Sequence, residues 1–194
     1  HVDFHTVAPF EKLFSRVGME LIRVERISPQ GGSIRVMAQK IDGNFYRDDS
    51  VDFLIEIEKK LELNKLQTLL KFDQKISIVK ENLQKLLLEI KGKGKTIAGF
   101  GAPTKATTLM NHFGIDEKIL DFIVDENPLK QGLFTPLSHI PIFSASTIYE
   151  KKPDYVLILA WNFAEPIMKN HLKYAKEIGE FILPMPTPQI VKLA

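Results

Sequence analysis

Thr96-Ile97-Ala98-Gly99-Phe100-Gly101-Ala102-Pro103-Thr104-Lys105-Ala106-Thr107-Thr108 is the stretch whose reading decides the fold. It opens as a buried-type strand, Thr96–Phe100, and closes as the start of a helix, Thr104–Phe113. Gly99 and Gly101 bracket the turn between them, and Pro103 stands near the first helical turn, where a missing N–H costs nothing. A strand, a Gly-x-Gly turn and a helix in that order aim free backbone N–H groups and the positive end of a helix dipole at one spot. Such a spot favours an anion such as a phosphate. Lys105, Thr107 and Thr108 add a charge and hydroxyl donors, and a purely structural turn is the competing reading. The Gly-Lys-Ser/Thr ending of a P-loop is absent, and Ala102-Pro103-Thr104 stands where the dinucleotide fingerprint carries its third glycine.

Downstream, strand and helix patterns alternate. Ile119–Val124 reads as a strand ending at Asp125, Ile140–Phe143 as a short extended piece, and Ser144 as the cap of a helix reaching Tyr149. Tyr155–Leu159 reads as another strand, Ala164–Ile178 as a helix, and Phe181–Leu183 as a last strand before a Pro-rich turn. Short strands alternating with helices predict an α/β fold: a mostly parallel sheet with helices on both faces. Open sheets of this kind bind ligands at the carboxyl ends of their strands. Asp125 follows the second strand, near the place where an acidic residue reaches a ribose hydroxyl, and capping of the Glu126-Asn127-Pro128 turn is the equally open alternative. Lys130 and the Trp161-Asn162 pair are expected at the same edge. For Trp161, stacking on a base and plain packing both stay open.

Upstream, Phe10, Leu13, Phe14 and Val17 mark one apolar face of a short helix with Thr6 as its cap and Gly18 as its stop. Met19–Ile27 and Ser33–Ala38 read as a hairpin around Gly31-Gly32. A helix and a hairpin leave much apolar surface uncovered, so residues 1–40 are expected to be the end of a larger domain. Residues 41–94 read as connecting helices. Ser50 caps one over Val51–Leu61, and a long amphipathic run then carries Leu66 to Ile90 and ends at Lys91-Gly92-Lys93-Gly94-Lys95. Residues 95–194 form the third part, the α/β domain. The start at His1, without methionine, leads us to expect material upstream.

The chain has 194 residues, 44% of them hydrophobic and 26% charged, which is ordinary for a globular protein. A net charge of +2 is too small to predict a nucleic-acid or membrane partner, and no apolar run reaches the ~18–20 residues of a membrane helix. There are no cysteines, which excludes disulfides, thiolate metal sites and cysteine nucleophiles and fits a cytoplasmic location. His1, His5, His112, His139 and His171 show no metal-ligand spacing, and the last three read as surface or packing residues. Nothing resembles a Ser-His-Asp arrangement.

Several pieces taken in order resemble the nucleotide-sugar C-methyltransferases, which use S-adenosylmethionine to methylate a carbon of a keto-deoxysugar nucleotide. They are Gly31-Gly32-Ser33-Ile34-Arg35-Val36, Gly99 to Lys105, Thr107-Thr108-Leu109-Met110-Asn111, and Asp125-Glu126-Asn127-Pro128-Leu129-Lys130-Gln131-Gly132. His139-Ile140-Pro141-Ile142 and Pro153-Asp154-Tyr155 leading to Trp161-Asn162 complete the set. The resemblance implies a parent with a zinc-binding N-terminal lobe, a central methyltransferase domain and a Rossmann-like C-terminal domain. The sugar nucleotide would lie between the last two. This chain would then hold a helix-and-hairpin remnant of the methyltransferase domain, the connecting helices and the C-terminal domain.

On that resemblance, Gly99, Gly101, Ala102, Lys105, Thr107, Thr108, Asn111, Asp125, Lys130, Trp161 and Asn162 are the sugar-nucleotide residues. His1, before Val2-Asp3-Phe4-His5-Thr6, is the catalytic base that takes a proton beside the sugar ketone. Neither the glycine-rich loop for S-adenosylmethionine nor the zinc-ligand cysteines is found in these residues. The resemblance therefore implies a parent that uses both cofactors, a chain that holds no zinc, and no methyl transfer by this chain alone. A non-catalytic nucleotide- or coenzyme-binding module with a regulatory or docking role is the alternative, and an NAD-dependent enzyme a third reading.

Overall fold

The computed structural model describes residues 4–192, and the chain divides after Gln74 into two compact units. In the first, helix α1 (Val7–Arg16) packs against a two-stranded antiparallel sheet, β1 (Met19–Ile27) and β2 (Ser33–Lys40), and against helix α2 (Ser50–Lys60). Val7, Leu21, Val24, Val51 and Ile55 form its small core, and Phe10 and Phe14 close over it from the apolar face of α1. Gly18 follows that helix at φ +72, the left-handed stop expected there. Thr6 holds the N-cap position but its side chain caps nothing. Glu58 of α2 does that work instead: its carboxylate accepts the N–H groups of Val7 and of Ala8, the latter at 3.0 Å. An anion at a helix N-terminus satisfies orphan donors and complements the dipole.

Helix α3 (Leu66–Gly92) runs for 27 residues. Its later turns bury Leu83, Leu87 and Ile90 in the core of the second unit. There a six-stranded sheet has the order β5-β4-β3-β6-β7-β8. The strands are β3 (Ile97–Phe100), β4 (Phe122–Val124), β5 (Ile142–Phe143), β6 (Tyr155–Ile158), β7 (Glu180–Leu183) and β8 (Gln189–Val191). All neighbours pair in parallel except β7 and β8.

The two-residue period of the strands sorts their side chains between two cores. Ile97, Ile123, Leu157 and Ile182 face α3 and α4 (Thr104–Phe113), where Ala106, Leu109, Met110 and Phe113 meet them. Ala98, Phe100, Val124, Val156, Ile158 and Phe181 face the other way. They pack on α5 (Thr147–Lys151), α6 (Ala164–Asn170) and α7 (Leu172–Glu177) through Ile148, Ile167 and Tyr174. The fold is the expected α/β arrangement, a mostly parallel sheet covered on both faces.

Local boundaries differ from the sequence reading for identifiable reasons. Ile119 and Leu120 belong to a turn whose amides bond Asp116 O, and their burial mimics a strand pattern. The Ala164–Ile178 run breaks at His171, where φ is −117. Ser144 does not cap α5, which begins at Thr147; the carbonyl of Ser144 accepts the Thr147 N–H at 3.1 Å instead. Ser50 is the first residue of α2 rather than its cap, with its N–H and hydroxyl on the Asp48 carboxylate. Strand β8 lies beyond the Pro-rich turn taken as the end of the sheet.

The topology fixes where a ligand would sit. From β3 the chain builds outward through β4 to β5, then returns to lay β6 on the opposite flank of β3. The order reverses between β3 and β6, so their carboxyl ends open into loops that part from one another. Two glycines at the end of β3 leave room that neighbouring side chains fill. A Cβ at Gly99 would stand 2.8 Å from both Ile123 Cγ1 and Leu159 Cδ1. At Gly101, φ is +88 and a Cβ would come within 2.7 Å of Ala160 Cβ.

Candidate functional site

At the strand reversal lies an open crevice of about 300 Å³, lined by Gly101, Pro103, Asp125, Lys130, Ala160 and Phe163 among others. That volume is at the small end of the range of ligand sites. Three connections build it. Gly101, past the end of β3, swings the chain toward α4, and its N–H bonds Val124 O at 2.7 Å. Asp125, just past β4, turns back: its Oδ2 accepts the Ala102 N–H at 2.6 Å and lies 3.1 Å from Lys130 Nζ, while Oδ1 accepts the Asn127 N–H at 2.8 Å. The helical turn Trp161–Phe163 after β6 forms the opposite wall.

Asp125 is only 7% exposed. Burial pushes its carboxyl up, but the amides of Ala102 and Asn127 and the Lys130 ammonium outweigh this and leave it below the ordinary carboxylate value. Its side chain caps the Glu126-Asn127-Pro128 turn, one of the two roles open from sequence, and also ties that turn to the glycine turn.

Lys105 is the exceptional group. Its Nζ is enclosed 4.8 Å from the centre of the Trp161 ring and 5.4 Å from that of Phe163, and it hydrogen-bonds no described residue. Burial draws its pKa down. Aromatic faces attract a cation but do not replace the hydrogen bonds an ammonium has in water. The sequence reading brought Lys105 and Trp161 to one region, and the structure brings them into contact.

The remaining sequence candidates scatter. Gly99 is inside β3 and serves the packing just described. Thr107 and Asn111 line a different hollow, of about 230 Å³, between α4 and the Thr135–Ser138 loop. Thr108 is exposed on α4, Asn162 lies on the Trp161–Phe163 turn, and His1 falls outside the described residues. Sequence reasoning passed over His171, which is 8% exposed and shares a hydrogen bond of 2.9 Å between its Nδ1 and Tyr149 Oη. No local signal joins residues so far apart in the chain.

Among the described residues no group of three His, Asp or Glu side chains is arranged to hold a metal ion, and no helix is long and apolar enough to cross a membrane. The crevice carries both signs of charge: the Asp125 and Glu126 carboxylates and the Lys130 ammonium line it, and Lys105 stands beside it.

The family described as the C-methyltransferase C-terminal domain matches residues 28–186. The chain belongs to that family. Of curated proteins, C-methyltransferase NovU of Streptomyces niveus is 30% identical to this C-methyltransferase C-terminal domain chain over 191 residues, covering 98% of the chain and 46% of NovU. The chain thus spans about half the length of that relative. Of solved structures, UDP-D-quinovosamine 4-dehydrogenase from Vibrio fischeri shares 15% identity over 52% of this chain and 93% of its own, with a TM-score of 0.36. So slight a likeness adds nothing to the fold, which rests on strand order.

Proposed function

We propose that this chain is the sugar-nucleotide-binding portion of an S-adenosylmethionine-dependent C-methyltransferase acting on a keto-deoxysugar nucleotide. The observation that carries the reading is the enclosed, unpaired ammonium of Lys105 against Trp161, beside the crevice at the strand reversal. An enclosed ammonium without a hydrogen-bond partner is unfavourable, and an arriving phosphate oxygen offsets that cost. Lys105 takes a diphosphate oxygen, and Trp161 and Phe163 form the apolar wall behind it. Lys130, already bridged to Asp125, sets a second positive charge nearby.

The chemistry proper belongs to the longer protein. There His1 takes the proton beside the sugar ketone, a task suited to imidazole with its pKa near 6.5. The methyl group comes from S-adenosylmethionine held by parts of the parent outside this chain, and zinc belongs to the parent's N-terminal lobe. The chain alone therefore binds without methylating, and its working place is the cytoplasm, where nucleotide sugars are made.

Calorimetric titration of the 194-residue chain with dTDP, UDP, CDP, NAD and S-adenosylmethionine tests this. Saturable binding of a nucleoside diphosphate, with none of NAD or S-adenosylmethionine, is the expected result. Binding of NAD or S-adenosylmethionine in preference, or of nothing in the series, defeats the reading. So does methyl transfer to a sugar nucleotide by the chain alone.

A further inference from the structure

On the other flank of the crevice a second polar group lies buried. His171 occupies the break between α6 and α7, so its imidazole leaves the helical line and enters the core under Phe100, ring centres 4.9 Å apart. Its Nδ1 lies 2.9 Å from the Tyr149 hydroxyl of α5. Its Nε2 is buried, hydrogen-bonds no described residue, and points toward Glu126 Oε1 at 3.8 Å. Glu126 follows Asp125 at the end of β4 and lines the crevice.

The chemistry of the neighbours sets the tautomer. Were the proton on Nδ1, a bare Nε2 lone pair would face a carboxylate, and two acceptors repel. With Tyr149 donating to Nδ1, the proton resides on Nε2 and faces Glu126 as a donor. The separation of 3.8 Å is too long for a hydrogen bond, and a rotation of the exposed Glu126 side chain closes it. Burial draws the His171 pKa down, against the pull of Glu126, so the ring is neutral at physiological pH and still offers one N–H.

We propose that Glu126 is the crevice's acceptor for a ligand hydroxyl and that His171 is the positioning residue that holds it there, with Tyr149 fixing the imidazole. This rests on the crevice being the nucleotide-sugar site. The phosphates go to Lys105 on one wall, and a hydroxyl of the sugar or ribose meets Glu126 on the other. The tether aims the carboxylate inward, where an untethered surface glutamate would sample many rotamers and lose entropy on binding.

Two measurements on the full chain test the proposal. In nitrogen–proton correlation spectra of the free protein, His171 shows the Nε2–H tautomer, and Glu126→Gln lowers its protonation midpoint because a neutral amide no longer favours the imidazolium. An Nδ1–H tautomer, or a midpoint that Glu126→Gln leaves in place, overturns the tether. In titrations with dTDP-glucose and UDP-glucose, Glu126→Gln and His171→Phe each weaken binding roughly tenfold, the loss of one charge-assisted hydrogen bond. His171→Gln, whose amide nitrogen reaches the Nε2 position, restores most of it. Wild-type affinity in Glu126→Gln, or a His171→Gln as weak as His171→Phe, overturns the acceptor role. If the wild-type chain binds neither compound, the nucleotide reading and the acceptor role fall together, and the tether stands or falls on the tautomer and the midpoint.

Discussion

The Asp125 carboxylate closes on the Ala102 amide at 2.6 Å, so the end of one strand and the glycine turn of its neighbour are held as one piece. The same oxygen lies 3.1 Å from Lys130. Asp125→Ala leaves a turn amide and a half-buried ammonium without their shared partner. We expect a loss of about 2–4 kcal/mol, the range for breaking a largely buried pair tempered by the exposure of Lys130. Urea unfolding of the two proteins measures it. Because the carboxyl lies below its ordinary value, this stability is present above the usual carboxylate range and is lost as pH falls through the depressed value.

Lys105→Met separates binding from folding. Methionine fills the space of the lysine stem against Trp161 without an enclosed charge, so thermal stability rises by about 1 kcal/mol while nucleoside-diphosphate affinity falls by roughly 1–3 kcal/mol. Melting and calorimetry on the same preparations show whether the two changes run in opposite directions. A variant that is less stable and binds equally well would make Lys105 a packing residue.

Gly101→Ala meets two obstacles together, a left-handed backbone at φ +88 and the Ala160 methyl 2.7 Å from the new Cβ. The expected cost is about 2–4 kcal/mol, from backbone strain and overpacking combined. Gly18→Ala provides the comparison: its φ is +72 but nothing lies within 4 Å, so only the backbone penalty of about 1 kcal/mol remains. Equal losses in the two variants would remove the close approach of Gly101 to Ala160 from the account.

Asp154 also makes stability depend on pH in the acid range. Its carboxylate accepts Lys95 Nζ at 2.8 Å, the Thr96 N–H at 2.9 Å and the Thr96 hydroxyl at 2.8 Å, which pins the start of β3 beside β6. The hydrogen bond from Lys95 and those from Thr96 hold its pKa down to about 2. A depressed carboxyl contributes stability fully above 3.8, its unshifted value, and loses it as pH falls toward 2. Asp154→Asn should therefore be less stable than wild type at neutral pH and converge with it near pH 2. The Lys95 arm is half-exposed, so solvent screening limits its share of the difference.

The parts of this fold legible in sequence are those written in neighbouring residues. Thr96 to Phe113 announces its strand, turn and helix because the apolar run, the glycines and the helix pattern are contiguous. The alternation of later elements likewise yields the parallel sheet. What escaped depends on partners distant in the chain. His171 reads as a surface or packing residue, and its partners show only once Tyr149 and Phe100 are folded around it. The break there is invisible because apolar spacing continues from Ile167 through Tyr174 on both sides. The cap of α1 comes from Glu58 rather than from Thr6, since a carboxylate supplied by another helix leaves no mark at the helix start. In the site, the pairing of Lys105 with Trp161 follows from the strand reversal, whereas Thr107 and Asn111 sit farther along α4 and face another hollow.

The two outermost strands of the sheet are short, β5 at Ile142–Phe143 and β8 at Gln189–Val191. On β5 the outward N–H and C=O of Ile142 are taken up by Leu133 O and the Gly132 N–H, and on β8 Lys192 follows directly. A strand from another molecule would find too short a ladder to climb and a charge at its foot. The apolar strands in the middle, Ile97–Phe100 and Tyr155–Ile158, are thereby kept away from edge-to-edge pairing with other molecules.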